Sequence, residues 1–328
     1  MRDTKANWQQ ILAQGFSTAR ELLEFLELPV HMASQDAEQQ FQTRVPRGFA
    51  NLMESGNPND PLLRQVLAID DETQAVEGYS QDPLLEKSFN TQAGLIQKYH
   101  GRVLLTLVGA CAINCRYCFR RHFPYQENNP GREGWEGVFS FIAADETIHE
   151  VILSGGDPLL ANDKLLSFLF GKLQTIRHVR TVRIHTRIPV VLPERIDSNL
   201  IALLNRSSFK KVIVLHSNHA NELDDRVAEA CQKLRSASCH LLNQSVLLAG
   251  VNDDVNILAA LSRRLFDCGV LPYYLHLLDK VEGAAHFDVS LPKATELFKG
   301  LQAILPGYLV PRLACELPAE KHKTLLGL

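Results

Sequence analysis

Three cysteines close together are the most chemically distinctive feature of the chain. Cys111, Cys115 and Cys118 stand in LTLVGACAINCRYCFRRHF with the spacing Cys-x3-Cys-x2-Cys. Structural zinc usually takes four ligands in two separated pairs, and catalytic zinc more often uses histidine or carboxylates. No second pair lies near; Cys231, Cys239, Cys268 and Cys315 are scattered. The common ferredoxin spacings give every iron a cysteine and do not match. Three thiolates suit a [4Fe–4S] cluster with one iron left open to another ligand. Arg116, Arg120 and Arg121 interleave the cysteines, which argues against three unligated core residues. Zinc is the alternative.

Other polar groups follow apolar runs. Ser154-Gly155-Gly156-Asp157 ends one of them, and two glycines there let the backbone approach a ligand closely. Read alone, the segment is also compatible with an ordinary turn. HTR at 185–187, HSNH at 216–219, NQS at 243–245 and LDK at 278–280 occupy similar places.

The elements that must position these groups alternate. Strands are expected at 103–108, 150–154, 181–185, 211–216, 240–247 and 273–277, with helices at 135–144, 164–175, 194–204, 224–235, 255–266 and 293–305. Several strands, VLLTLV and VIVLH among them, are near-continuous apolar runs, as in strands covered on both faces. Six strand–helix units imply a parallel sheet, either an open barrel or a doubly wound sheet, with ligands at the C-terminal strand ends. Before residue 100 the chain reads as mainly helical, with few strand signals and a Gly56–Pro61 run that must break a helix or turn the chain.

Composition sets the outer bounds. The chain has 328 residues, 45% of them hydrophobic, and a formal net charge of -3. That charge shows no overall footprint for nucleic acid or an anionic membrane. No apolar run reaches the roughly 18 residues of a membrane helix, and the N-terminus lacks a secretory signal. Seven cysteines, an odd number, argue against a disulfide framework. A cytoplasmic protein with no membrane or nucleic-acid partner is expected.

Cys-x3-Cys-x2-Cys after a first strand resembles the signature of radical S-adenosylmethionine enzymes, and Tyr117 beside the third cysteine adds to the likeness. From about Lys98 to the C-terminus the chain resembles the lysine 2,3-aminomutase family through KYHGRVLL, CRYCFRRHF, SGGDPL, HTRIPVVLPERI, HSNHANE, NQSVLLAGVNDD and YYLHLLDKVEGAAHF. DPLLRQVL, CFRRHFPY and LPYYLHLLDKVEGAAHF are similar to the branch that makes (R)-β-lysine for elongation factor P.

The resemblance implies an open partial (βα)6 barrel over 98–290, a mainly helical N-terminal region over 1–97 and a C-terminal extension over 291–328. It implies three cofactors: a [4Fe–4S] cluster on Cys111, Cys115 and Cys118, S-adenosylmethionine chelating the open iron, and pyridoxal 5′-phosphate held as a Schiff base on a C-terminal lysine. Lys323 matches that lysine best and Lys321 is the rival, although the family's preceding glycines are absent and Leu325 replaces a proline. Ser154, Gly155, Gly156 and Asp157 match the segment that binds the amino group of S-adenosylmethionine, and His216 and Gln244 match positions near it. Arg102 matches a pyridoxal-phosphate contact, and Lys98 stands where the family has another arginine. Arg120 matches the clamp on the substrate α-carboxylate. Asp279 and Glu316 match the acids that receive the ε-ammonium, Glu316 in place of an aspartate.

The implied reaction converts L-α-lysine to (R)-β-lysine by 2,3-amino migration, with an external electron donor and a separate ligase that attaches the product to elongation factor P. Glutamate is disfavoured as substrate by the acidic pair. Arginine is not excluded by charge, and a cluster-binding regulator without catalysis is the reading from another class.

Overall fold

The computed structural model describes residues 7–318 and 320–326. The N-terminal region is built from short helices: α1 (Trp8–Ala13), α2 (Ala19–Phe25), α3 (Gln35–Gln40), α4 (Arg47–Ala50) and α5 (Pro61–Arg64). The Gly56–Pro61 run turns the chain, as expected, and its last residue begins α5. Asp60 caps α5 by accepting from the backbone N–H groups of Leu62 and Leu63, with Pro61 in the first turn, where its missing N–H costs nothing.

One ten-stranded sheet carries the rest. It opens with two short strands the sequence did not suggest, β1 (Asn90–Gln92) and β2 (Leu95–Ile96), paired antiparallel to each other, with β2 also antiparallel to β3 (Arg102–Val108). Helix α6 (Gly131–Ala144) leads to β4 (Glu150–Gly155), and α7 (Asp163–Gln174) to β5 (Thr181–Thr186). Then come α8 (Ile188–Val191) and α9 (Ser198–Arg206), β6 (Lys210–Leu215), α10 (Asp225–Ser236), β7 (Cys239–Val246), α11 (Val255–Asp267), β8 (Leu271–His276) and α12 (Leu291–Ile304). The six expected strands fall within two residues of their expected bounds. Helix α9 begins later than expected because Pro193–Arg195 forms a 3-10 turn and Asp197 caps the helix that follows. Asn162, Asp224 and Asp254 cap α7, α10 and α11 in the same way.

After α12 the chain adds β9 (Arg312–Cys315), parallel to β8, and β10 (Thr324–Leu325), antiparallel to β9. Strands β3 to β9 are parallel and lie side by side in sequence order. A doubly wound sheet reverses its strand order at a switch point; this sheet does not. It is an open partial barrel of six strand–helix units.

Strand sequence explains what the two faces do. Successive side chains point to opposite faces. The outer set, such as Val182 and Ile184 of β5, is buried in the main apolar core. The inner set alternates with it: Arg102 and Leu104, Ile152 and Ser154, Arg183 and His185, Gln244 and Val246, Tyr274 and His276 all line one cavity. In β5, β7 and β8 the inner positions are polar or aromatic and face that cavity; β3 and β6, the runs expected to be covered on both faces, set Leu104 and Val214 against it.

Candidate active site

The cavity has a volume of about 460 Å³, within the range of small-molecule sites. It is reached by the loops after β3, β4, β5, β6 and β8 and by the end of β9.

Cys111, Cys115 and Cys118, in the loop after β3, all line it as free thiols. The N-terminal region holds that loop. Arg116 is fully buried and forks onto Glu72, with Nε 2.8 Å and Nη2 2.6 Å from its carboxylate oxygens. Arg121 donates to the same carboxylate at 2.8 Å, and Arg44 donates to the Cys111 carbonyl at 3.1 Å. Burial, then the neighbouring thiols, push Cys111 well above the usual thiol range. The same causes push Cys118 up to about 11. Such thiols would hold cationic iron as thiolates. Among the described residues no three His, Cys, Asp or Glu groups are placed to hold a single metal ion, whereas a four-iron cluster asks one thiolate of each of three irons.

The glycines at 155 and 156 have a specific cause. Gly155 has φ +118°, and a Cβ there would lie 2.7 Å from the Val108 carbonyl oxygen. A Cβ on Gly156 would lie 2.3 Å from the Ala110 carbonyl oxygen. The close approach is to the backbone of the cysteine loop. Asp157 lines the cavity, but its carboxylate accepts from Thr186 Oγ1 and the Arg187 N–H, both at 2.7 Å, and from the Leu159 and Ile188 N–H groups. It ties the β4 and β5 loops together. Burial raises it to about 6 against those donors.

His216 contacts the Tyr117 hydroxyl at 2.9 Å. Burial, then Arg187, lowers it to about 3, so it is neutral. Gln244 Nε2 and His185 Nε2 are buried in the cavity wall and have no protein partner among the described residues. Buried polar atoms of this kind ask for a ligand.

The opposite wall is organised around Glu316. In the β9–β10 hairpin Thr324 pairs with Cys315 and Leu325 with Ala314. Extending that register sets Lys323 opposite Glu316, and Lys323 Nζ donates to Glu316 Oε2 at 2.8 Å. Lys98 Nζ and the Tyr99 hydroxyl donate to Glu316 Oε1 at 2.9 Å and 2.8 Å. Burial pushes Glu316 up, but Lys323 and Lys98 outweigh it and hold the carboxyl well below its usual range. Asp279 lines the same cavity, and neither lysine pairs with it. Burial, then the Glu316 charge, raises it to about 7. Arg102 packs over the Tyr99 ring at 4.6 Å. Lys321 is exposed.

Arg120 is already engaged: Nε and Nη2 fork onto Glu86 at 2.7 Å and 2.6 Å, and Nη1 donates to Ser154 Oγ at 2.9 Å. Sequence reading marked His185 only within the HTR segment and did not single out Glu72, Glu86, Tyr99, Arg183 or His276. A usable signal existed for Arg183 and His185, two polar residues at period two inside an otherwise buried strand. None existed for Glu72 and Glu86, whose arginine partners lie 34 or more positions away.

Comparison with known proteins points to a family. A family model described as a 4Fe-4S single cluster domain matches residues 100–186. A protein from Haemophilus influenzae named L-lysine 2,3-aminomutase is 49% identical over 97% of this chain and 95% of its own length. One of the same name from Escherichia coli is 47% identical over 99% and 96%.

The chain belongs to the L-lysine 2,3-aminomutase family.

Among solved structures it is similar to a radical SAM methyltransferase from Sphaerobacter thermophilus, with 15% identity, TM-score 0.45, and 67% and 68% of the two chains covered. It is also similar to anSMEcpe with bound AdoMet, with 14% identity, TM-score 0.46, and 60% and 57% covered. Lysine 2,3-aminomutases are isomerases that use a [4Fe–4S] cluster, S-adenosylmethionine and pyridoxal 5′-phosphate. The cavity fits that set: three thiols on one loop, buried orphan nitrogens at Gln244 and His185, and a lysine amine at position 323.

Proposed function

We propose that this chain converts L-α-lysine to (R)-β-lysine and supplies it for the modification of elongation factor P, acting in the cytoplasm. The observation that carries the lysine reading is the division of labour between two acids in one cavity. Glu316 is saturated by Lys98, Lys323 and Tyr99. Asp279 is the acid left to receive a substrate ammonium: Lys98 and Lys323 pair with Glu316 instead, and burial, then the Glu316 charge, raises the Asp279 carboxyl. A substrate without a terminal cation leaves Asp279 facing the cavity uncompensated, which disfavours neutral and acidic amino acids.

Reduced cluster with S-adenosylmethionine supplies a hydrogen-abstracting radical, and pyridoxal phosphate supplies a conjugated system that lets an amino group migrate. The chain's own residues bind and orient. Cys111, Cys115 and Cys118 hold the cluster, and Gln244 and His216 stand beside it for S-adenosylmethionine. Lys323 presents its amine to the pyridoxal cofactor, with Glu316 fixing its direction. Arg102 and Lys98 supply positive charge for the cofactor phosphate. Arg120 offers a planar fork for the α-carboxylate, with Glu86 holding that fork until substrate competes for it. The 98–290 segment is read as the catalytic core, with the C-terminal extension contributing Glu316 and Lys323 to the pyridoxal-phosphate and substrate site.

The reading is tested by anaerobic incubation of reconstituted protein with lysine, arginine or glutamate, S-adenosylmethionine and a low-potential reductant. β-Amino acid should form from lysine alone. Formation from glutamate at equal rate contradicts the assignment of Asp279, and formation from arginine at equal rate contradicts lysine as the substrate. Adding the elongation factor P ligase with its substrate tests the downstream role through the mass of the modified factor.

A further inference from the structure

Arg187 follows β5 and is buried, yet none of the roles above uses its side chain. Its Nη1 donates to Cys115 Sγ at 2.7 Å and to the Tyr117 hydroxyl at 2.8 Å. Its Nη2 donates to Gln65 Oε1 at 2.8 Å and Glu222 Oε2 at 3.0 Å. Glu222 is fully buried and also accepts from Gln65 Nε2 and from the Asn218 and His219 N–H groups. The cysteine loop does not need this contact to keep its path, because Arg116, Arg121 and Arg44 already fasten it.

We infer that Arg187 is a positioning residue that sets the reduction potential of the cluster through its N–H bond to the Cys115 sulfur, with Glu222 as the opposing charge. Reduction adds one electron, from an external donor, to a cluster whose thiolates already carry negative charge. An N–H donor on a ligating sulfur and a cation beside it stabilise the reduced form and raise the potential. Burial keeps that effect from being screened. Glu222 lies on the far side of the guanidinium and works in the other direction, so the pair fixes an intermediate value. The inference rests on the cluster assignment.

The test is a redox titration of reconstituted holoprotein, followed by cluster absorbance and electron paramagnetic resonance, with iron content measured in each sample. Arg187→Gln should move the midpoint to more negative potential by about 59 mV or more, a tenfold change in a one-electron equilibrium. Arg187→Lys, which keeps the charge but loses the fork, should fall between. Glu222→Gln should move it to more positive potential. A purely structural role shifts neither, or shifts both in one direction. Unchanged midpoints at full iron content, or shifts of the same sign, overturn the inference. If Arg187→Gln fails to retain iron, the signs of the Arg187→Lys and Glu222→Gln shifts decide it. Failure of the unaltered protein to take up iron would instead overturn the cluster assignment itself.

Discussion

Lys323 Nζ lies 2.8 Å from Glu316 because the β9–β10 hairpin sets the two residues directly across from each other. Cross-strand neighbours of this kind stand close enough for their side chains to meet. The seven-residue separation of acid and lysine is therefore a consequence of hairpin register. The hairpin pairing, not a glycine-rich loop, brings Lys323 to the cavity.

Lys323→Ala should lose the pyridoxyl group that borohydride fixes to the protein, yet keep its iron, because the cysteines belong to another loop. Lys321→Ala should keep both, since Lys321 is exposed. Peptide mapping after reduction reads the result. A pyridoxyl group on Lys321, or on no residue of the tail, would count against this placement.

Cys115→Ala leaves two thiolates for the cluster. Iron per protein and visible cluster absorbance should collapse after anaerobic reconstitution. Cys239 is buried at the start of β7 in the apolar core, so Cys239→Ala should retain full iron.

Asp279 yields a pH prediction. Its carboxyl is raised to about 7, and a bound ammonium favours the ionised form, so lysine binding releases a proton below that pH. Affinity for lysine should therefore rise with pH and level off above about 7. Asp279→Asn should abolish that dependence and raise KM by about tenfold to a hundredfold, the loss of one charge-assisted hydrogen bond of roughly 1.5–3 kcal/mol. The stability sign is opposite to that of a salt-bridged acid. The folded state holds this proton more tightly than the unfolded chain, so its contribution falls as pH rises from about 4 to about 7. Asp279→Asn should remove that decline in denaturant unfolding curves.

Much of this was legible in the sequence because periodicity reports burial. The six central strands announced themselves through runs such as VLLTLV and VIVL, and the cysteine spacing is local. What stayed hidden is short or long-range. β2 and β10 are two residues each, too brief for any pattern. Glu72 and Glu86 are ordinary acids in a polar stretch until the fold sets them against Arg116 and Arg120. Gly155 and Gly156 were legible as a close approach, but not as an approach to the cysteine loop.

Glu72 carries a stability prediction. One fully buried carboxylate serves both Arg116 and Arg121. Glu72→Gln leaves two buried guanidinium groups without their counter-charge, which should cost about 3–5 kcal/mol and loosen the cysteine loop. Chemical denaturation of the apoprotein measures the first effect, and iron retention under chelator challenge the second. Unaltered values for both would show that the clamp is not needed.

The central claim is that the amino group of lysine moves from carbon 2 to carbon 3 in this cavity. The direct measurement uses lysine labelled with 15N at the α-amino group only, incubated anaerobically with the reconstituted protein, S-adenosylmethionine and reductant, and analysed by NMR. The account predicts β-lysine with the label on carbon 3. Label found only on carbon 2, in a protein that holds its cluster and cleaves S-adenosylmethionine, would contradict it.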